Sequence, residues 1–202
     1  MRLFSENGYT GTGVSELGEA AGLARGALYY YIGSKEALLA EIHDRVMDPL
    51  LAEAKLIAAM DIGSRARLRL LSESLLWQIL HRPDNVWVFL HEYRHLEGEH
   101  RAQFREKRRA FETYVGTALE EGRQSGEVVT SDPDLTTLAF FNLHNYTYQW
   151  QAGHPGLEVE KLASFYCAIL LRGIGAVEQP DDPELRDELT KGRSVLAALR
   201  SA

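Results

Sequence analysis

The chain has 202 residues, of which 45% are hydrophobic and 25% charged, and a formal charge of −7. That is the balance of a folded globular protein with one domain of ordinary size or two small ones, and it excludes disordered, collagen-like and mucin-like chains. No run of eighteen uncharged apolar residues is present to span a membrane, and residues 1–8 hold no apolar run suited to a signal peptide. The lone cysteine, Cys167, allows no intramolecular disulfide; within its apolar run it reads as a buried thiol of a cytoplasmic protein.

Residues 1–45 read as short helices parted by Gly8, Gly11, Gly13, Gly22, Gly26 and Gly33. From Glu36 onward the segments lengthen. Leu38, Leu39, Ile42, Val46 and Leu50 form one apolar stripe at helical spacing, and Pro49 is expected to interrupt or kink that helix. Further helices are predicted over 64–81, 84–95, 99–125, 132–151 and 158–177, each ended by a proline or glycine stop. A linker at 179–183 leads to a last amphipathic helix near 184–200. Residues 127–130 alternate too briefly for a strand, so the predicted fold class is all-α. Residues 1–45 form one expected domain and 46–202 the other.

The first 45 residues carry four basic and six acidic side chains. Between Ala20 and Lys35, however, the only charges are those of Arg25 and Lys35. A short helix, a glycine turn and a second short helix opening on Arg25 and bearing Tyr29 and Tyr30 make a helix-turn-helix arrangement, whose second helix meets base edges.

The run Leu3-Phe4…Gly8-Tyr9…Thr12…Val14…Leu17…Ala21-Gly22-Leu23…Gly26…Leu28-Tyr29-Tyr30…Ser34-Lys35-Glu36…Leu38-Leu39 resembles the DNA-binding domain of TetR-family transcriptional regulators. The resemblance implies a DNA-binding set of Thr12, Ala24, Arg25, Gly26, Tyr29, Tyr30 and Lys35. In that set Thr12 and Lys35 meet phosphates and Gly26 lets the backbone come close. Gly18 stands where the family commonly has alanine, at a cost of about 1 kcal/mol in helix propensity. Tyr31-Ile32 replaces the commoner His-Phe. The match begins inside the family's first helix, so the natural start is expected upstream of Met1.

His91-Glu92-Tyr93-Arg94-His95 is a literal HExxH, the spacing with which two histidines on one helix face bind zinc. Its setting argues against an enzyme. His100 falls one position short of the metzincin third ligand, and residues 97–109 read as a charged, solvated helix. No catalytic residue, metal or cofactor is expected; His91, His95 and His100 rank only as second-choice metal ligands.

The rest of the chain is rich in aromatics, and polar residues interrupt the apolar segment 140–150. An apolar cavity with a few polar groups is therefore expected, drawing on Trp87, Glu92, Tyr93, Phe111, Phe141, Asn142, Asn145 and Tyr148. The run from Trp150 to Ile174 resembles TetR-type repressors of fatty-acid and steroid breakdown. For some of those the effector is an acyl-CoA, whose phosphates Arg94, Arg101, Arg105, Arg108 and Arg109 would suit. The helix at 158–177 looks apolar nearly all round, and Leu162, Phe165, Tyr166, Ile169 and Leu170 are expected at a homodimer interface. These readings converge on a homodimeric repressor released from a palindromic double-stranded DNA operator by a small apolar or acyl-CoA-like effector.

Overall fold

The computed structural model describes residues 1–174, with the side chains of Arg25 and of residues 172–174 outside that description. The linker and helix expected at 179–200 also lie outside the described residues.

Ten α-helices follow in order: α1 (Arg2–Gly11), α2 (Val14–Ala21), α3 (Arg25–Ile32), α4 (Lys35–Ala58), α5 (Ser64–His81), α6 (Pro83–His91), α7 (Gly98–Ser125), α8 (Pro133–Asn145), α9 (Thr147–Trp150) and α10 (Val159–Ile174). Short 3₁₀ turns at Tyr93–His95 and Gln151–Gly153 complete the described residues, which contain no strand. The all-α reading holds. Two predicted helices are shorter than expected: 84–95 stops at His91, and 132–151 breaks at Tyr146.

The apolar residues sort into two cores. Phe4, Leu17, Leu28, Leu39 and Ile42 build a small one that ties α1–α3 to the start of α4, closed from the far side by Val88, Leu96 and Phe104. Val46, Met47, Leu50, Ala54 and Ile57 continue along α4 into the larger core, with α5, α7, α8 and α10 around them. One helix therefore serves both cores, with the same stripe read from the sequence.

Pro49 does not interrupt it: α4 is continuous from Lys35 to Ala58. Proline lacks the amide hydrogen that would bond the carbonyl four residues earlier, that of Arg45. The Arg82 guanidinium donates to that carbonyl at 3.1 Å, so the orphaned acceptor is satisfied from outside the helix.

Two glycines are explained by close approach. A Cβ on Gly18 would sit 2.9 Å from the Leu23 carbonyl oxygen, in the turn between α2 and α3. On Gly122 it would lie 2.7 Å from Val128 Cγ2 and 2.9 Å from Ser64 Cβ, where α7 passes the start of α5. Overpacking of this kind typically costs about 1–3 kcal/mol. Gly122→Ala is therefore expected to lower the melting temperature by several degrees; an unchanged or raised value would show that the α5–α7 crossing is loose.

A helix-turn-helix head and an apolar cavity

The head is built by its caps. Gly13 N–H donates to Glu16 Oε2 at 2.6 Å, starting α2, and Gly22, at φ 66°, ends it in the left-handed conformation that glycine adopts without strain. Gly22-Leu23-Ala24 then turns the chain into α3, with Ala24 as its N-cap. The amide of Ala37 donates to Ser34 Oγ at 2.9 Å and opens α4.

Tyr30 projects with 85% of its surface exposed, and Tyr31 stands beside it edge-on, ring centroids 5.4 Å apart. Tyr29 is more than a third exposed, and Ala24 and Gly26 share the open end of α3, where Gly26 has no neighbour within 4 Å of a Cβ. Arg25 is the first residue of α3. Sequence reasoning misses Tyr31, because the three-tyrosine run reads there only as a departure from the family pattern.

Two residues expected at phosphates, Thr12 and Lys35, have partners within the chain. Thr12 is 1% exposed, and its hydroxyl lies 2.8 Å from the Gly8 carbonyl and 3.0 Å from that of Leu3. It staples the kink at Gly8 (φ 73°) inside α1, so the hydroxyl faces the core and not a phosphate. Lys35 lays its ammonium 4.2 Å from the Tyr9 ring centroid, a cation–π contact. Tyr9 stacks in turn on His95 at 4.9 Å.

The HExxH segment does not fold as the single helix that its zinc spacing requires. Helix α6 ends at His91, and the chain passes into a 3₁₀ turn, so His91 and His95 do not share a helix face. The Nδ1–H of His91 donates to the Trp87 carbonyl at 2.8 Å, and its Nε2 accepts from the Tyr148 hydroxyl at 2.9 Å. Glu92 is buried against Gly8 and lies 3.3 Å from His95 Nε2. No group of three or more potential ligands is gathered for a metal among the described residues, so His91, His95 and His100 do not form one.

An apolar cavity of about 50 Å³ lies in the larger core, lined by α4 (Val46, Met47, Leu50), α5 (Leu75, Gln78, Ile79), α6 (Val86, Phe89, Leu90), α7 (Arg108, Phe111, Glu112) and α8 (Phe141, Asn145). Of the residues expected at a cavity, Phe111, Phe141 and Asn145 line this one. The other expected residues are elsewhere: Trp87 stacks on His91, Glu92 is at the head–body joint, Tyr93 lies over Phe104, Asn142 is exposed, and Tyr148 is bonded to His91. Gln78 is the polar residue that sequence reasoning misses, and its buried Oε1 has no hydrogen-bond partner. At the mouth, Arg108 pairs with Glu112 at 3.1 Å.

The expected interface residues divide in the same way. Leu162 and Tyr166 belong to the monomer's own core, where the Tyr166 hydroxyl meets Thr147 Oγ1 at 2.8 Å, and Leu170 packs partly against it. Phe165 (60% exposed) and Ile169 face outward, joined on α8 by Leu135 and Leu138, which sequence reasoning does not select.

A helix-turn-helix head joined by one long helix to a helical body with an apolar cavity defines a DNA-binding regulator with a sensing domain. Residues 1–42 match the family model for bacterial regulatory proteins of the tetR family, and residues 61–174 that for the tetracyclin repressor-like C-terminal domain. The chain belongs to the TetR family of transcriptional regulators. It is 29% identical over 178 residues to the HTH-type transcriptional repressor KstR2 of Rhodococcus jostii (strain RHA1), covering 86% of each chain. It is similar to the TetR-family regulator PfmR from Thermus thermophilus (TM-score 0.78, 26% identity, 85% and 93% of the chains covered). It also shares the fold of AibR, whose crystal structure holds isovaleryl coenzyme A and operator DNA (TM-score 0.75, 24% identity, 84% and 92% covered).

Burial holds two histidines neutral. Desolvation pushes His43 and His144 each down to about 4 from 6.5. The unfolded chain therefore takes up protons between pH 6.5 and 4 that the folded chain refuses, and stability falls across that window. Each histidine accounts for roughly 3 kcal/mol when the window is fully crossed. Urea unfolding at pH 7.5 and at pH 4.5 should show a large drop; equal stability would mean that both rings are protonated in the fold.

Proposed function

We propose that this chain is a non-enzymatic, cytoplasmic, homodimeric repressor that leaves its operator when an acyl-CoA-like effector enters the cavity. Residues 1–45 are the reading head and residues 46–202 the effector-binding and dimerising body, with the division falling inside α4. In the head, Ala24, Arg25, Gly26, Tyr29 and Tyr30 face the DNA, and Tyr31 joins them.

The observation that carries the effector class is a row of arginines leading to the cavity mouth. Arg101, Arg105 and Arg108 stand at i, i+4 and i+7 on α7, on one face of the helix, and the last of them lines the cavity. Arg101 and Arg105 are exposed, and no ion pair engages either among the described residues. An apolar body in the cavity and a phosphate-bearing end along that row would use both features. The crystal structure of AibR, with isovaleryl coenzyme A and operator DNA together, supports the pairing of these two ligands. The outward apolar face of Leu135, Leu138, Phe165 and Ile169 supports a dimer formed through α8 and α10.

Selection from a random pool of duplex DNA should return a palindrome with half-sites about one helical turn apart. Binding to that duplex should weaken on adding isovaleryl-CoA or a longer acyl-CoA but not coenzyme A alone. Reversing the charge at both Arg101 and Arg105 should weaken the acyl-CoA response about tenfold, a loss of about 1.4 kcal/mol. Operator affinity untouched by acyl-CoA of every chain length would sink the effector reading. Separately, Phe165→Glu should shift the protein from dimer to monomer in sedimentation; a dimer that persists would move the interface elsewhere.

A further inference from the structure

The cavity sits beside a second buried polar group that the reading above does not use. His43 on α4 is 2% exposed, and neither of its ring nitrogens has a hydrogen-bond partner. Four other histidines, His81, His91, His144 and His154, bring Nδ1 to the carbonyl four residues earlier. His43 does not. Its ring packs on both Phe89 and Phe104, with centroid separations of 5.4 and 4.9 Å.

Phe89 also lines the cavity, as do Val46 and Met47, the next turn of α4 on the same face as His43. The Phe89 ring thus touches both the cavity and an unsatisfied imidazole. About 50 Å³ is far below the roughly 300–1,000 Å³ of small-molecule sites, so an effector of any size displaces a wall. Phe89 is the wall best suited to move: it is only partly buried, and it sits on a nine-residue helix that ends two residues later. In contact with it is a group that gains a partner.

Taking the cavity as the effector site, as proposed above, we infer that this site continues past Phe89 to His43, and that the effector's buried end carries a hydrogen-bonding oxygen that the His43 imidazole binds. A neutral imidazole offers one donor and one acceptor, so a hydroxyl or a carbonyl satisfies it, whereas a plain hydrocarbon end does not. Gln78 Oε1, the unpartnered acceptor in the cavity lining, adds a preference for a hydroxyl over a carbonyl along the way. The recognised molecule is therefore an oxygenated apolar body, and His43 is its specificity-determining residue.

The test uses the full-length protein with two probes of matched apolar body, 4-propylphenol and propylbenzene, and calorimetric or NMR titration. The wild-type protein should bind the phenol at least tenfold more tightly, with a change in the His43 ring ¹⁵N shifts that propylbenzene does not produce. His43→Phe, which fills the same space without nitrogens, should reduce the preference to about twofold or less, and His43→Gln should restore part of it. Phe89→Ala should bind both probes more tightly and keep the preference, which tests the extension independently of any variant at His43. Equal affinity of the wild type for both probes, a preference that survives His43→Phe, or no binding of either probe to Phe89→Ala would each overturn the inference. Failure of the acyl-CoA reading is distinguishable: operator release by acyl-CoA would be absent while the His43-dependent preference for the phenol remained.

Discussion

Pro49 leaves the Arg45 carbonyl without its helical partner, and the Arg82 guanidinium fills that position at 3.1 Å. The bond matters because of where it lies. Upstream, Leu39 and Ile42 of α4 are buried in the core of the head; downstream, Val46, Met47 and Leu50 are buried in the core of the body. Lys107 reaches across from α7 to Asp44 at 2.7 Å and Asp48 at 2.6 Å, in the same stretch. A proline in the middle of a helix removes one backbone hydrogen bond, and a helix so interrupted commonly bends. Here the weak turn is held from two sides, so a force on either half of α4 reaches the other.

The second route between head and body runs through the turn after α6. Buried Glu92 packs against Gly8 in the kink of α1, His95 stacks on Tyr9, and the backbone amide of Glu97 donates to Glu36 Oε1 at 2.8 Å. Helix α6 also gives Val86, Phe89 and Leu90 to the cavity. Arg82, which repairs α4, sits immediately before it. A displacement of α6 by a ligand would thus act on α1 directly and on α4 through Arg82. Such coupling shifts an equilibrium only by the difference in ligand affinity between two states, and a wall that moves to satisfy a buried orphan is a source of that difference.

The head was legible in the sequence because its turns fix residues at set spacings: glycines where the backbone turns, tyrosines where α3 faces outward, and an apolar stripe that is simply α4. What sequence could not show was the direction of individual side chains. Thr12 has the chemistry to bind a phosphate, but the carbonyl of Gly8, one turn back at the kink, captures its hydroxyl. The apolar circumference of α10 read as burial all round, yet one side packs in the monomer through Leu162 and Tyr166 and the other stays open through Phe165 and Ile169. Only the position of α5 tells them apart. His91 and His95 have zinc-ligand spacing on paper, and the end of α6 at His91 removes the helix on which that spacing depends. Gln78 and His43 carry no periodic signal at all; each is one polar residue within an apolar stripe, recognisable only once its surroundings are known.

The charge balance bears on how such a chain reads DNA. The formal charge is −7, and the first 45 residues hold more acids than bases, a balance that does not favour a broad hold on the phosphate backbone. Lys35 is partly engaged with Tyr9, and Thr12 is turned inward. A head of this kind depends on the fit of α3 in the groove, where Tyr30 and Tyr31 stand nearly free, and on presenting two heads at once. Two linked heads multiply a modest affinity only when their separation matches the half-sites, since the second contact is then effectively intramolecular. A small rotation of α4 spoils that match without weakening either head. A chain with few phosphate contacts therefore gives an effector more leverage than one held by many, because nonspecific attraction leaves less affinity to retain it on the DNA.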